Sequence, residues 1–225
     1  MRKLFFLFLI TLLFSCNGQE NKKNSTVSKT LKPTEMQRIN INEWKEKAKN
    51  YMNSLNEDGE TVTTGEPYYY LKETSEMSKE IEFSGSDKEG YSLKEVLPKP
   101  NLYTDVKFYR ANGMLLYSFK TLVINPNIVV GKHDEYDEKG IIIKTEDYDE
   151  GFLSKPEQIV TFIKSHGGNI ENELTIIDRQ KDKNRSIWHV EFLVAENKLV
   201  KIFTLEDSTL KILSSQERSS DFLED

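Results

Sequence analysis

The 225-residue chain contains little of what most catalytic and metal sites are built from: it has one cysteine and three histidines. A single cysteine cannot form an internal disulfide, and a zinc site would need three further ligands of other types. His133, His166 and His189, expected in a turn, at a helix end and in a strand, show none of the spacings typical of paired metal ligands. We therefore expect neither a metal nor a cofactor.

Basic residues are outnumbered as well. The chain has 31 Lys and Arg against 37 Asp and Glu, a formal net charge of −6. Because binding to nucleic acid begins with a basic surface that neutralises phosphates, this balance argues against a nucleic-acid partner. Acidic residues cluster between 134 and 150, but their spacing fails the calcium-binding EF-hand pattern, whose twelfth position would be Gln158 instead of Glu.

Motifs of the common catalytic classes are missing too. The nearest approach to the Gly-x-Ser-x-Gly turn of serine hydrolases, at 83–87, lacks the first glycine. The double glycine Gly167-Gly168 follows a predicted helix, whereas a phosphate-binding loop precedes one. No spacing pairs two carboxylates in the way that glycoside hydrolysis requires. The sequence therefore predicts a protein that is not an enzyme.

What the sequence does contain begins at its N-terminus. Arg2 and Lys3 precede an apolar run, 4–14, that is too short for a permanent membrane span and is typical of a secretory signal peptide, predicted over 1–15. The run ends in Leu13-Phe14-Ser15-Cys16, which resembles the lipobox of bacterial lipoproteins. The resemblance implies cleavage before Cys16, a diacylglyceryl group on its sulfur, and an acyl chain such as palmitate on its new amine. The alternative is an unmodified thiol beside an ordinary cleavage site.

The same resemblance implies a location. Asn17 stands where an aspartate would favour retention in the inner membrane, so the pattern favours the outer membrane, with the body facing either the periplasm or the outside. The segment 16–35, which starts at Cys16, is polar and aperiodic, so burial cannot offset the entropy of ordering it. We expect a disordered linker there and attachment to the membrane through the N-terminal lipid.

A folded body follows the linker, since 12 Phe, 10 Tyr and 2 Trp are enough for a core. Asn40 with Glu43 three positions later makes a variant of the capping box, so a helix is predicted to begin near Asn40. Its apolar face comprises Trp44, Ala48, Tyr51, Met52 and Leu55. Short strands are predicted at 68–71, 80–83, 105–109, 114–119 and 141–144.

A loose repeat organises these strands. Residues 108–115 align with 135–142, which places Gly113 and Gly140 27 positions apart, and 83–90 is a weaker copy. Each copy predicts a strand, a turn whose glycine takes a positive φ, and a returning strand, so that the segment forms a meander of hairpins. The pattern resembles the MORN-variant repeats of bacterial proteins related to toxin–antitoxin systems. That resemblance implies recognition, because no catalytic residue accompanies the repeat.

The last part of the chain predicts a helix and a second sheet. Ser154 with Glu157 reads as a capping box, and the helix that follows ends at Gly167. Strands are predicted at 174–177, 187–194, 199–205 and 210–213, and alternate apolar residues from Trp188 to Val194 share one face that the helix would cover. A helix followed by such a meander resembles the small PepSY-type envelope domains, over about 154–215. The resemblance implies binding or inhibition.

The expected fold class is therefore α+β. Residues 36–152 should form an antiparallel β-meander of hairpins with an N-terminal helix, and 153–225 a helix packed on a four-stranded antiparallel sheet. The expected function is a non-enzymatic, protein-binding lipoprotein of the cell envelope, and an immunity-type role against a secreted toxin is compatible with it. The alternative is an envelope enzyme or a small-ligand carrier whose pocket the sequence does not reveal.

Tyrosines are the candidate binding residues. We expect an acidic, tyrosine-rich sheet face to contact the partner, because tyrosine supplies a large contact area at a low cost in entropy. The candidates are Tyr68, Tyr69, Tyr70, Tyr109 and Tyr136. Cross-strand packing inside the sheet is the alternative role of these rings.

Overall fold

The computed structural model describes residues 38–55, 66–181, 185–194 and 198–219, all within one compact unit, Pro33–Asp225. The predicted signal peptide and lipobox, and the linker as far as its end at 35, lie outside the described residues. The described residues form two helices, α1 (Ile41–Leu55) and α2 (Pro156–Ser165). The strands are β1 (Tyr69–Thr74), β2 (Glu80–Ser86), β3 (Gly90–Val96), β4 (Tyr103–Tyr109), β5 (Leu115–Leu122), β6 (Asn125–Tyr136), β7 (Ile142–Asp147), β8 (Ile176–Lys181), β9 (Ser186–Val194), β10 (Leu199–Glu206) and β11 (Ile212–Ser219). Neither helix has the length and apolar character needed to span a membrane.

Strands that are neighbours in the chain pair antiparallel in both sheets. β1 to β7 form a seven-stranded sheet in chain order, and the four-stranded sheet has the order β11-β10-β9-β8. The described structure is thus mainly antiparallel β with two helices, and the predicted α+β class is confirmed at that level.

Two strands of the larger sheet differ from the prediction. β3 follows the weaker repeat copy at 83–90 but was not among the strands predicted by range, and β6 was not predicted before its last residues. Pro126 is the second residue of β6, next to a shift in register with β5, and a strand start tolerates a residue that has no N–H to donate. His133, expected in a turn, consequently lies inside β6.

The predicted hairpins are confirmed, because Gly90, Gly113 and Gly140 have left-handed φ values of 85°, 82° and 76°. The turns at Gly113 and Gly140 also share their hydrogen bonds. In the first turn the Arg110 N–H donates to the Met114 carbonyl at 2.8 Å, and in the second the Asp137 N–H donates to the Ile141 carbonyl at 2.9 Å. The strand register also shifts at equivalent places, between 108 and 109 before the first turn and between 135 and 136 before the second.

α1 packs against one face of the larger sheet. Its N-terminus has the predicted cap, since the Glu43 N–H donates to Asn40 Oδ1 at 3.4 Å. Ala48 is fully buried, and the Trp44 ring stacks on Phe83 with 5.3 Å between centroids. The buried members of this cluster, the α1 core, are Ile41, Ala48, Tyr69, Leu71, Phe83, Tyr91, Leu93, Tyr109 and Leu115.

A second cluster, the α2 core, joins α2 to both sheets. Ile159 and Ile163 of α2 are fully buried in it, as are Trp188 and Phe192 of β9. Its members from the larger sheet are Leu122, Ile128 and Val130. The two predicted segments, 36–152 and 153–225, therefore share a hydrophobic core.

A buried carboxylate fixes the start of α2. Asp207, in the β10–β11 turn, is 3% exposed and accepts hydrogen bonds from Trp188 Nε1 at 2.8 Å and from the N–H groups of Leu153 at 2.5 Å and Ser154 at 3.1 Å. The Ser154 hydroxyl donates to the Asp207 carbonyl. These three hydrogen bonds stabilise the Asp207 carboxylate inside the protein.

The predicted capping box of α2 is wrong by one position. Because Ser154 is held by Asp207, the N-cap is Lys155, with extended backbone angles. Its N–H donates to the side-chain oxygen of Gln158 at 2.8 Å, so Gln158 and not Glu157 completes the cap.

Candidate functional site

The larger sheet has two faces, and only one of them carries the cores. Side chains alternate along each strand, so Phe83, Tyr91 and Tyr109 point toward α1 whereas their neighbours in sequence point the other way. We call this second side the open face. Its apolar residues, such as Val106, belong to neither described core, and a groove of about 590 Å³ follows it.

Five rings lie in contact across the open face and are called the aromatic strip: Phe108, Tyr117, Phe119, His133 and Tyr148. The stacked pair of Phe108 and Tyr117 is 4.7 Å apart between centroids. His133 lies 5.5 Å from Tyr117 and 5.3 Å from Phe119, and Tyr148 lies 6.2 Å from His133. The strip is partly exposed, so its rings are available to a partner.

Strand register explains how these residues come together. Phe108 of β4 is directly opposite Tyr117 of β5, and Phe119 is on the same face two positions later. A shift in the β5–β6 register between Ser118 and Lys120 then brings His133 of β6 beside both rings of β5. The strip therefore depends on an irregularity of the ladder.

Charged residues border the strip on both sides. On the β1–β3 side, Lys94 Nζ lies 2.7 Å from Glu82. On the β6–β7 side, Lys144 Nζ lies 2.8 Å from Glu135 and 3.8 Å from Glu146. The hydrogen bond from Lys144 lowers the pKa of Glu135, and the same bond raises the pKa of Lys144, so both groups are charged at neutral pH.

Two polar atoms on the open face have no hydrogen-bond partner among the described residues. They are Ser92 Oγ, opposite Phe108 in the β3–β4 pair, and His133 Nε2 within the strip, and both atoms are buried. A buried polar atom without a partner costs free energy, so these two atoms reduce the stability of this face. Burial also raises the pKa of Tyr117, which keeps its hydroxyl protonated and able to donate.

The predicted tyrosines do not form one surface. Tyr69 and Tyr109 lie in the α1 core, with 8% and 3% exposure, because the strand alternation turns them toward the helix. They are therefore unavailable to a partner. Tyr70 and Tyr136 are partly buried, the latter with its hydroxyl 3.2 Å from Ser118 Oγ, and Tyr68 alone of the five is exposed.

Sequence reasoning missed the residues of the aromatic strip. The alternation of Tyr117 and Phe119 in β5 is a signal that these two rings share a face. No sequence signal placed His133 beside them, because that contact depends on the register shift.

The described residues contain no group of three or more His, Cys, Asp or Glu arranged to hold a metal ion. Comparisons with known protein families, with curated proteins and with solved structures found no match to this chain.

Proposed function

We propose that this protein is a lipoprotein of the bacterial outer membrane that works as a non-enzymatic protein-binding module, with the open face as its contact surface. The observation that carries the proposal is the aromatic strip. Five rings, each in contact with at least one other, lie on a sheet face that belongs to neither described core. The rings are partly exposed in the described structure, and a partner would remove their remaining exposed surface from water.

The composition of the open face suits a protein partner. Protein interfaces place aromatic residues at their centre and charged residues at the rim, and the strongest contributions come from rings that binding removes from water. Phe108, Tyr117 and Phe119 would be this centre. Lys94 with Glu82 and Lys144 with Glu135 would belong to the rim.

The charge of the β6–β7 side favours a basic partner. Glu135 and Glu146 lie on the open face beside the strip, and among the ion pairs of the described residues Lys144 is the one cation that bridges them. A basic group from the partner would be attracted to this acidic edge and would associate faster for it. A basic secreted toxin, with this protein as its immunity partner, is one case with that chemistry.

The anchor and the linker complete the proposal. A lipidated Cys16 would hold the chain at the membrane, because each buried methylene contributes about 0.8 kcal/mol. As a random coil, the 17 residues 17–33 of this linker would keep the body roughly 20 to 25 Å from the lipid. The MORN-like hairpins and the PepSY-like segment are proposed as the recognition scaffold.

A capture experiment with matched variants tests the proposal. The lipidated protein is used to retain binding proteins from envelopes of its native cells, beside Phe119→Ser on the open face and Ile212→Ser, a partly exposed apolar residue of the other sheet. We expect one basic protein to be retained by the wild type and by Ile212→Ser, and about tenfold less of it by Phe119→Ser. Equal retention by all three would refute the role of the open face.

A further inference from the structure

A second concave site lies between the larger sheet and α2. It is bounded by the β3–β4 connection (97–102), the β5–β6 turn (123–124), α2, and the α2–β8 connection (169–175), and its volume is about 930 Å³. We call it the seam cleft. Sites for small ligands in proteins have volumes of about 300 to 1,000 Å³, so the cleft is large enough for one.

The floor of the cleft is apolar and continuous with the α2 core. Val160 belongs to that core, and Leu102, Ile124 and Ile170 pack against it. The walls extend this apolar surface toward solvent, since Leu97 and Val123 are 46% and 41% exposed. An alkyl chain in the cleft would remove these side chains from water.

The rim of the cleft is charged, with acids in excess. Its carboxylates are Glu80, Glu157, Glu171 and Glu173, and its cations are Lys99 and Lys164. Lys99 Nζ already pairs with Glu171 at 2.6 Å. Glu157 accepts a hydrogen bond from the Tyr103 hydroxyl at 2.6 Å, and burial raises the pKa of Tyr103, so that hydroxyl keeps its proton and stays a donor.

We propose that the seam cleft binds a small amphiphile with an alkyl chain and a cationic end group. The chain would lie on Val160, Ile170 and Leu97, and the ammonium would face the carboxylates of Glu157 and Glu173. Charge complementarity selects the cation, because an anionic end group would meet a rim that already carries a net negative charge. Binding of an amphiphile in the seam cleft would be a second function, in addition to the protein binding proposed for the open face.

Three ten-carbon probes that differ only in their end group test the proposal. Decylamine, decanol and decanoate are titrated below their aggregation limits into the chain from position 16 onward, with Cys16→Ser so that no attached lipid competes. This chain contains the whole compact unit, Pro33–Asp225. Isothermal calorimetry should give one saturable site with affinity in the order decylamine, decanol, decanoate. Octylamine should bind about fifteenfold more weakly than decylamine, since each buried methylene is worth about fourfold in affinity.

Variants locate the site. Leu97→Ser with Val123→Ser should weaken decylamine binding at least about tenfold. The matched control is Ile176→Ser with Ile212→Ser, whose side chains are similarly exposed at 44% and 42% but lie on the other sheet, and it should bind decylamine as the wild type does.

A third variant tests the charge. Glu157→Gln keeps an acceptor for Tyr103 and should reduce the preference for decylamine over decanol about threefold. Absence of saturable binding, equal weakening by the control pair, or tightest binding of decanoate would each overturn the proposal. Thermal unfolding of every variant without ligand shows whether a lost site reflects a lost fold.

Discussion

Asp207 is the residue on which the junction of α2 with the smaller sheet depends most. Replacing it with alanine would leave the Trp188 indole N–H and the Ser154 N–H buried without this acceptor, and the Leu153 N–H partly buried without it. We expect Asp207→Ala to lower the free energy of unfolding by about 3 kcal/mol, measured by urea titration. The control is Asp178→Ala, an exposed aspartate of β8, which should change stability by less than about 0.5 kcal/mol. Equal effects of the two variants would contradict this role.

Lys45 links α1 to the larger sheet. Its ammonium lies 2.7 Å from Asp87 and over the rings of Tyr69 and Tyr91, 5.3 and 5.5 Å from their centroids. The Tyr91 hydroxyl donates to Asp87 at 2.8 Å, and burial, followed by this bond, raises the pKa of Tyr91 to about 12. The hydrogen bond from Lys45 lowers the pKa of Asp87 below its ordinary value.

A pH dependence follows from the lowered pKa of Asp87. A carboxylate whose pKa falls on folding stabilises the protein above its unfolded pKa, and that contribution disappears as the pH falls through its folded pKa. Asp87→Asn should therefore be less stable than the wild type above roughly pH 5, and the two should converge in stronger acid. Because the Asp87 side chain is 62% exposed, the difference should stay below about 1 kcal/mol. Urea titrations from neutral to acid pH measure it, and a constant difference would contradict the assignment.

At the scale of elements, the larger sheet depends on glycines with a left-handed backbone. Gly113, in a hairpin turn, and Gly131, inside β6, allow the cost of backbone strain to be separated from the cost of a steric clash. Gly113 and Gly131 both have a left-handed φ, 82° and 64°. A Cβ at Gly113 would come within 2.3 Å of the Ile39 carbonyl oxygen, whereas a Cβ at Gly131 would meet nothing within 4 Å. We expect Gly131→Ala to cost about 1 kcal/mol of stability from backbone strain alone, and Gly113→Ala at least about 3 kcal/mol. Similar losses in thermal unfolding would contradict the role of the Ile39 contact.

The same hairpins show which parts of the fold could be predicted from sequence. Gly113 and Gly140 could be recognised because a tight turn needs a positive φ that glycine adopts at little cost. The register between strands could not be read in the same way, since it depends on bulges that leave no composition signal. Tyr109, a candidate contact with cross-strand packing as its alternative role, lies in the core, and Tyr117, one strand away, lies on the open face although it was not among the candidates.

At the scale of the whole molecule, the proposed lipid anchor would hold the open face close to the membrane. A lipidated Cys16 predicts that the mature protein incorporates labelled palmitate and sediments with membranes. Cys16→Ser should lose the label and move to the soluble fraction, because Val27 and Leu31 are the only aliphatic residues of the linker and cannot replace the lipid. A free thiol at Cys16 in the mature protein, measured by mass spectrometry, would contradict the lipoprotein proposal while leaving the open face untouched.

The central claim is that the open face contacts a protein partner, and site-specific photo-crosslinking in native cells tests it most directly. A photoreactive phenylalanine derivative is placed at Phe119, within the aromatic strip, and in a separate chain at Ile212 of the smaller sheet. Irradiation should yield one discrete adduct with a basic protein from position 119 and none of it from position 212. The same adducts from both positions, or no adduct from position 119, would contradict the account.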